Sequence, residues 1–198
     1  MNTLKAEKRD MSIKAKKLRR EGFVTGNLFG RELEDSIPLK FDKAEIEKLL
    51  KVENKGGQVM LEVAGKTYDA LIKEVDYNPL KGYVDEIDFQ ALVSNEKVHS
   101  VAEIVLVNHD KLEAGVLQQH LEEISFRALP SALVDKVMVD VGDMKVGDVI
   151  KVKDLAIAQD KDVDLKTDLE AAVVSVAAVH VDPALEAEEE AAAEEEAK

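Results

Sequence analysis

Five cationic side chains, Lys14, Lys16, Lys17, Arg19 and Arg20, fall within seven residues, and the stretch "GFVTGNLFG" follows them at once. Lysine and arginine at this density can neutralise phosphates, each neutralised phosphate releasing condensed counterion. Five or six such contacts give a log–log salt slope of roughly −4 to −5. Glycines admit turns, positive φ or the close approach of another backbone, which leaves room for a sugar–phosphate chain. Phe29, inside the same stretch, can lay its ring on a base or ribose, a contact worth about 1–3 kcal/mol when stacking is complete. Two other readings stay open on these residues alone. The cations can be a solvated helix face, and Phe29 can plug a β-barrel.

Other chemistries find less support. The four histidines, His99, His109, His120 and His180, form no metal-ligand pair at close helical spacing. Cysteine is absent, which excludes disulfides and thiolate metal sites and suits a reducing compartment. There is no Gly-Lys-Ser/Thr phosphate loop and no nucleophile elbow. Asp85, Glu86 and Asp88 can hold a cation between strands or simply form a solvated sheet face. No constellation calls for an enzyme.

Charge is divided along the chain. The formal net charge is −14, yet residues 1–20 hold eight basic and two acidic residues. Residues 1–93 balance at 17 of each sign, and residues 94–198 carry 10 basic against 24 acidic residues. Such asymmetry points to a polyanion partner for the basic end. The charged N-terminus has no apolar stretch of signal-peptide type behind it, and no apolar run reaches the roughly 18 residues of a membrane span. A cytoplasmic protein with no membrane and no small-molecule partner is expected.

The elements that must position these groups follow from periodicity. Asp10 or Ser12 can cap a helix running to about Glu21, with Gly22 as its stop. Met11, Ala15 and Leu18 form its narrow apolar stripe, which docks on a core. Ser36 to Phe41 reads as a short strand. Asp42 opens a second helix with Glu45 reaching back in a capping box, Phe41 and Ile46 stapling it, and Ile46, Leu49 and Leu50 facing inward. Val59, Leu61 and Val63 alternate, "AGK" turns the chain, and Lys66 to Val75 returns. In the strand after "NPLKG", strict alternation puts Tyr83, Asp85, Ile87 and Phe89 on one face and Val84, Glu86, Asp88 and Gln90 on the other.

An antiparallel sheet or small barrel with two helices accounts for residues 1–93. "VSNEK" is the junction. The runs "VHSVAEIVLV", "LEEISFRAL", "KVMVDV", "DVIKVKDL" and "EAAVVSVAAVHV" indicate a second β-rich domain over 94–181, and Val137, Val139 and Val141 alternate. Residues 182–198, rich in Ala and Glu, lack the apolar surface to pack and are expected to form a disordered acidic tail. The fold class is therefore mainly β, with an N-terminal barrel, two helices and a second β-rich domain.

The runs "AEKRDMSIKAKKLRREGFVTGNLFG", "LIKEVDYNPLKGYVDEIDF" and "LEEISFRALPSALVDKVMVDVGDMKVGDVIKVKDL" resemble the bacterial 5S-rRNA-binding proteins of the large ribosomal subunit in their long, Ctc-type form, also called general stress proteins. The resemblance extends over about residues 4–181. It implies an RNA-binding N-terminal barrel, a C-terminal β-rich domain, and 5S rRNA, the large subunit and neighbouring ribosomal proteins as partners. It also implies an RNA surface made of an early Arg, the basic helix, the end of the glycine loop and the polar strand face.

Carried over by position, Arg9 matches the early Arg, and Lys16, Lys17 and Arg19 match the basic cluster, with Lys14 and Arg20 beside them. Phe29 replaces a usual Tyr, keeping the stacking surface without the hydroxyl. Thr25 replaces a usual Pro. Asp76 stands where many members have Gln, and Glu86 where many have His, while Asp88 matches. A carboxylate cannot donate as Gln or His⁺ can and it repels phosphate, so Asp76 and Glu86 weaken RNA binding, re-target it or recruit Mg²⁺ at the interface. No other cofactor is implied. Those two acidic replacements motivate an alternative of a different class, a stress-related protein-interaction module with weakened RNA affinity. A metal-dependent hydrolase built on Asp85 and Asp88 lacks a third ligand and any nearby His.

Overall fold

The computed structural model describes residues 2–111 and 115–178. The expected acidic tail at 182–198 and His180 lie outside the described residues.

Six strands close a barrel in the order β1-β3-β2-β6-β5-β4: β1 (Asn2–Lys8), β2 (Phe23–Phe29), β3 (Ile37–Asp42), β4 (Gln58–Val63), β5 (Lys66–Asn78) and β6 (Tyr83–Ala91). The sheet is mixed rather than antiparallel, because β1 runs parallel to β4 and β2 parallel to β6. Helix α1 (Ala15–Arg20) lies between β1 and β2, and α2 (Lys43–Leu49) between β3 and β4. The interior is filled by Leu28, Leu39, Leu61, Ile72 and Ile87, and by the Phe41 and Phe89 rings, whose centroids are 5.3 Å apart. With no Trp in the chain, these two rings supply the bulk of aromatic packing in the barrel.

Strand β1 was not anticipated. Only Leu4 and Ala6 of its seven residues are buried, so charged neighbours mask the alternation. Strand β2 corrects the expected glycine loop. Of its three glycines, Gly22 turns the chain at φ +92, whereas Gly26 lies within the strand. A Cβ on Gly26 would stand 1.9 Å from the Ile87 carbonyl oxygen and 3.2 Å from the Phe41 ring. Close approach of β6 is therefore what this glycine serves. In α2, Asp42 caps as expected, but its carboxylate accepts from Ala44 N at 2.8 Å, one residue short of Glu45. Phe41 and Ile46 are both buried in the barrel core, and Leu50 packs against it.

The alternation expected in β6 breaks in its first half. Asp76 pairs with Glu86 but Tyr77 pairs with Val84, so a β-bulge leaves Asp85 over. The bulge reverses the parity of the strand, placing Val84 in the core with Ile87 and Phe89 and turning Asp85 to the side of Glu86. Strict alternation cannot register such an extra residue.

The second β domain comprises a four-stranded sheet and a three-stranded sheet. The first has the order β10-β7-β9-β12, from β7 (Val98–Val107), β9 (Glu123–Ala128), β10 (Lys136–Asp140) and β12 (Asp164–Leu165). The second has the order β11-β13-β8, from β8 (Val116–Gln119), β11 (Val149–Lys151) and β13 (Ala172–Ala177). Val137, Val139 and Val141 are buried, as their alternation indicates. This core, around Phe126 and Ile124, is separate from that of the barrel.

Gly26→Ala is expected to destabilise the barrel by about 1–3 kcal/mol or more, through forced separation of β2 and β6. A chemical denaturation curve measures this. Wild-type stability would mean that the two strands have slack the structure does not display.

Candidate nucleic-acid interface

Helix α1 begins later than its sequence suggests. Its N-cap is Lys14, with no capping side chain, and Asp10 instead accepts from Ser12 N at 2.8 Å in a turn ahead of the helix. That hydrogen bonding from Ser12 holds the Asp10 carboxyl below its ordinary pKa. Arg9 donates from Nη2 to the Ile13 carbonyl at 3.3 Å, bracing the same turn, and its Nε is buried with no hydrogen-bond partner among the described residues. The expected apolar stripe contracts to one residue. Leu18 is buried, whereas Met11 lies before the helix and is 68% exposed. One docked leucine cannot fix a six-residue helix alone.

Arg19 supplies the second anchor. Its Nε donates to the Asp85 carbonyl at 2.9 Å, and its Nη2 reaches Thr25 Oγ1 at 3.4 Å and Glu86 Oε2 at 3.5 Å. Asp85 Oδ1 lies 3.7 Å from the same Nε. The bulge makes this possible by turning both Asp85 and Glu86 toward the helix. Hydrogen bonds from a charged donor contribute about 1.5–3 kcal/mol each when shielded, while the more exposed contact with Glu86 adds less. Arg19 thus differs from its neighbours in the basic cluster, since its donors point at the protein's own sheet. Lys14, Lys16, Lys17 and Arg20 are exposed, with Lys17 in a loose i,i+4 pair with Glu21 at 3.8 Å. Three of the helix's cations, Lys17, Arg19 and Arg20, occupy its last turn, where the helix dipole favours them.

Beside the helix, the outer face of β5 and β6 sets four carboxylates in two cross-strand pairs, Glu74 with Asp88 and Asp76 with Glu86, around a shallow depression floored by Val75. Asp88 is satisfied within the fold. Its Oδ1 accepts from Asn27 N at 2.9 Å and Asn27 Nδ2 at 3.2 Å, tying β6 to β2. Asp76 is exposed. Partial burial, followed by the charges of Asp88 and Asp76, pushes the Glu86 carboxyl up, against the opposing pull of Arg19 and Arg9. Among the described residues no group of three His, Asp or Glu side chains is arranged to hold a metal ion.

Phe29 lies at the far end of β2, opposite Gln90, and is 36% exposed. Phe41 and Phe89 fill the barrel, so Phe29 is not its plug. Four residue steps along the strand separate Thr25 from Phe29, roughly 13 Å. The site is therefore elongated, with cations at one end, an aromatic ring at the other and carboxylates alongside. Sequence reasoning missed the tethering partners Thr25, Asn27 and Asp85. The alternation of β2 would have exposed Thr25 and Asn27 had that segment been read as a strand.

A small closed barrel with an exposed basic helix, extended by a second β domain, offers a polyanion a positively charged surface, as a class of structural nucleic-acid-binding proteins does. Comparison with known proteins agrees segment by segment. The model of the Ribosomal L25p family matches residues 4–89, and that of the ribosomal protein TL5 C-terminal domain matches residues 97–180. Over 179 residues the chain is 30% identical to the large ribosomal subunit protein bL25 of Thermoanaerobacter sp. (strain X514), covering 89% of this chain and 88% of the relative. The bL25 protein of Caldanaerobacter subterraneus subsp. tengcongensis is 29% identical over 177 residues, covering 88% of each. That of Exiguobacterium sibiricum is 32% identical over 177 residues, covering 87% of this chain and 78% of the relative. The chain belongs to the bL25 family of bacterial large-subunit ribosomal proteins, in its long, Ctc-type form.

Because the folded state raises the pKa of Glu86, the ionised carboxylate costs stability, and the cost appears as pH rises through the ordinary glutamate value of about 4.3. Below that value the group is protonated in both states and the cost is gone. Glu86→Gln is therefore expected to raise Tm at pH 7 and to leave it unchanged near pH 4. Thermal melts at the two pH values check this, and an equal shift at both would exclude a titration effect.

Proposed function

We propose that this protein is a structural component of the large ribosomal subunit in the cytoplasm, gripping 5S rRNA with its barrel domain. In this reading residues 1–93 form the RNA-binding domain, 94–181 a second domain and 182–198 an acidic extension. The observation that carries it is the set of exposed cations on α1, Lys14, Lys16, Lys17 and Arg20, held against the barrel by Leu18 and Arg19. A helix anchored in this way presents its charges without losing much side-chain and backbone freedom on binding. Phosphate contacts by those four supply affinity and register. Phe29 packs on a base or ribose. Arg9 supports the turn before the helix and offsets Glu86.

Arg19 acts chiefly as a positioning residue, so four direct phosphate contacts replace the five or six suggested by composition. The salt slope becomes about −3 to −4. Asp88 is committed to Asn27 and shapes the groove wall, whereas Asp76 and Glu86 face the RNA as acceptors for 2′-OH groups or base amines.

The four carboxylates across β5 and β6 favour one second reading, an interaction module of the same fold that has lost RNA affinity. Gel-shift titration against 5S rRNA and an unrelated RNA of equal length separates the two. The module reading requires equal, weak binding to both.

Replacing Lys16 and Lys17 together by Glu is expected to cut 5S rRNA affinity at least tenfold and flatten the salt slope by about 2, with an unchanged melting curve. Unchanged affinity would remove α1 from the interface. Phe29→Ala is expected to weaken RNA binding by about 1–3 kcal/mol with a nearly normal Tm. A large Tm loss in that variant would make the ring a packing element instead.

A further inference from the structure

The second half of the chain carries 24 acidic residues, yet its cations are not spread evenly. Arg127 is the only arginine after Arg31. It stands opposite His99 across β7 and β9, and opposite Asp164 across β9 and β12. Lys97 and Lys166 act on Asp164, with Lys166 Nζ at 3.0 Å from its carboxylate, and together with Arg127 they hold its pKa low. The barrel brings two more cations to the same place. Lys73 Nζ donates to the His99 carbonyl at 2.8 Å, and Lys55 Nζ contacts Glu123 at 3.1 Å. Gly56 makes this junction tight, since a Cβ there would stand 2.0 Å from the Val101 carbonyl oxygen.

We propose that this junction, formed by Lys55, Lys73, Lys97, His99, Arg127 and Lys166, holds an RNA phosphodiester group at a second site separate from α1. The proposal rests on the RNA-binding reading above and extends it to the second domain. Three observations carry it. Five cations surround the junction, with Glu123 paired to Lys55, Asp164 paired to Lys166, and Glu103 and Glu122 on the adjoining cleft beside Lys55, in a chain otherwise dominated by carboxylates. The cleft between barrel and sheet is lined by Lys55, Lys73, His99, Ser100 and Ser125 together with apolar residues and Gly56, and no carboxylate lines it. Arg127 Nε is buried with no hydrogen-bond partner among the described residues, while the residue as a whole is half-buried.

The cations also strain one another. Burial and then Lys55 lower the Lys73 pKa, and burial followed by Arg127, Lys73 and Lys166 lowers that of His99. An anion in the cleft relieves this repulsion, and the His99 ring and Ser125 hydroxyl can add hydrogen bonds to its oxygens. A phosphodiester backbone suits the site better than an acidic peptide. The cations come from both the barrel, Lys55 and Lys73, and the second sheet, Arg127 and Lys166, so an extended polyanion that crosses the junction meets both.

The test uses the full chain with 5S rRNA and with protein-stripped large-subunit RNA, bound on filters over a series of KCl concentrations. The variant Lys97→Gln, Arg127→Gln, Lys166→Gln is compared with the α1 double variant Lys16→Glu, Lys17→Glu, and Arg127→Lys serves as the conservative control. Near-UV circular dichroism confirms that each is folded. The triple variant is expected to lose about tenfold in affinity for the stripped RNA and about 2 from the salt slope, with Arg127→Lys close to wild type. If it keeps wild-type affinity and slope while the α1 variant loses binding, the junction holds no phosphate and the α1 reading stands. If it binds stripped RNA normally but is poorly retained on intact large subunits, the patch meets an acidic protein and the proposal fails. If neither variant changes RNA affinity, the RNA-binding reading itself fails.

Discussion

The approach of β6 to β2 is the contact on which the rest of this molecule depends. Gly26 removes the one Cβ that would collide with the Ile87 carbonyl, so two parallel strands from distant parts of the sequence can close the barrel. The same pair of strands then offers what α1 requires. Thr25 from β2 and the bulged Asp85 and Glu86 from β6 converge on Arg19. Asn27 and Asp88 fasten the two strands again one step further along. A helix too short to be stable alone thereby acquires a fixed place, and its cations a fixed direction.

The electrostatics follow from that arrangement. Within one basic cluster, position along the helix assigns two tasks. Arg19 faces the sheet and neutralises its carboxylates, while Lys14, Lys16, Lys17 and Arg20 face outward. The acidic β5–β6 face beside them limits how a polyanion can lie, since phosphates are repelled from one side and attracted on the other. The negative second half has the same effect on a larger scale. It discourages indiscriminate adsorption of nucleic acid, leaving positive potential where the structure concentrates it.

Much of the fold was legible because it rests on simple periods. The alternation of Val59, Leu61 and Val63, the "AGK" turn and the Val137-Val139-Val141 run all reported their burial correctly. The basic helix and the resemblance carried by three long runs identified the family. What escaped were features that depend on partners remote in sequence. β1 was hidden because charged residues flank Leu4 and Ala6, and its strand character comes from pairing with β3 and β4. β2 was hidden because glycine signals a loop locally, whereas here it serves a neighbour sixty residues away, as Gly26 does for Ile87. The bulge at Asp85 leaves no trace in composition, yet it changes which side chains face the helix. Arg19 and its neighbours are alike as residue types. Only the geometry of the sheet beneath tells the tether from the outward-facing cations.

The parallel pairing of β1 with β4 bears on how the molecule is made. Asn2 lines up with Val59 and Ala6 with Val63, so the opening strand has to wait for one synthesised more than fifty residues later. Until then the growing polypeptide holds an unsatisfied edge, and closure of so long a loop is slow relative to local turns. The ring therefore needs two long-range seams, β1 with β4 and then β2 with the later β6, and any delay in emergence of β4 prolongs the interval in which the β1 edge can pair wrongly.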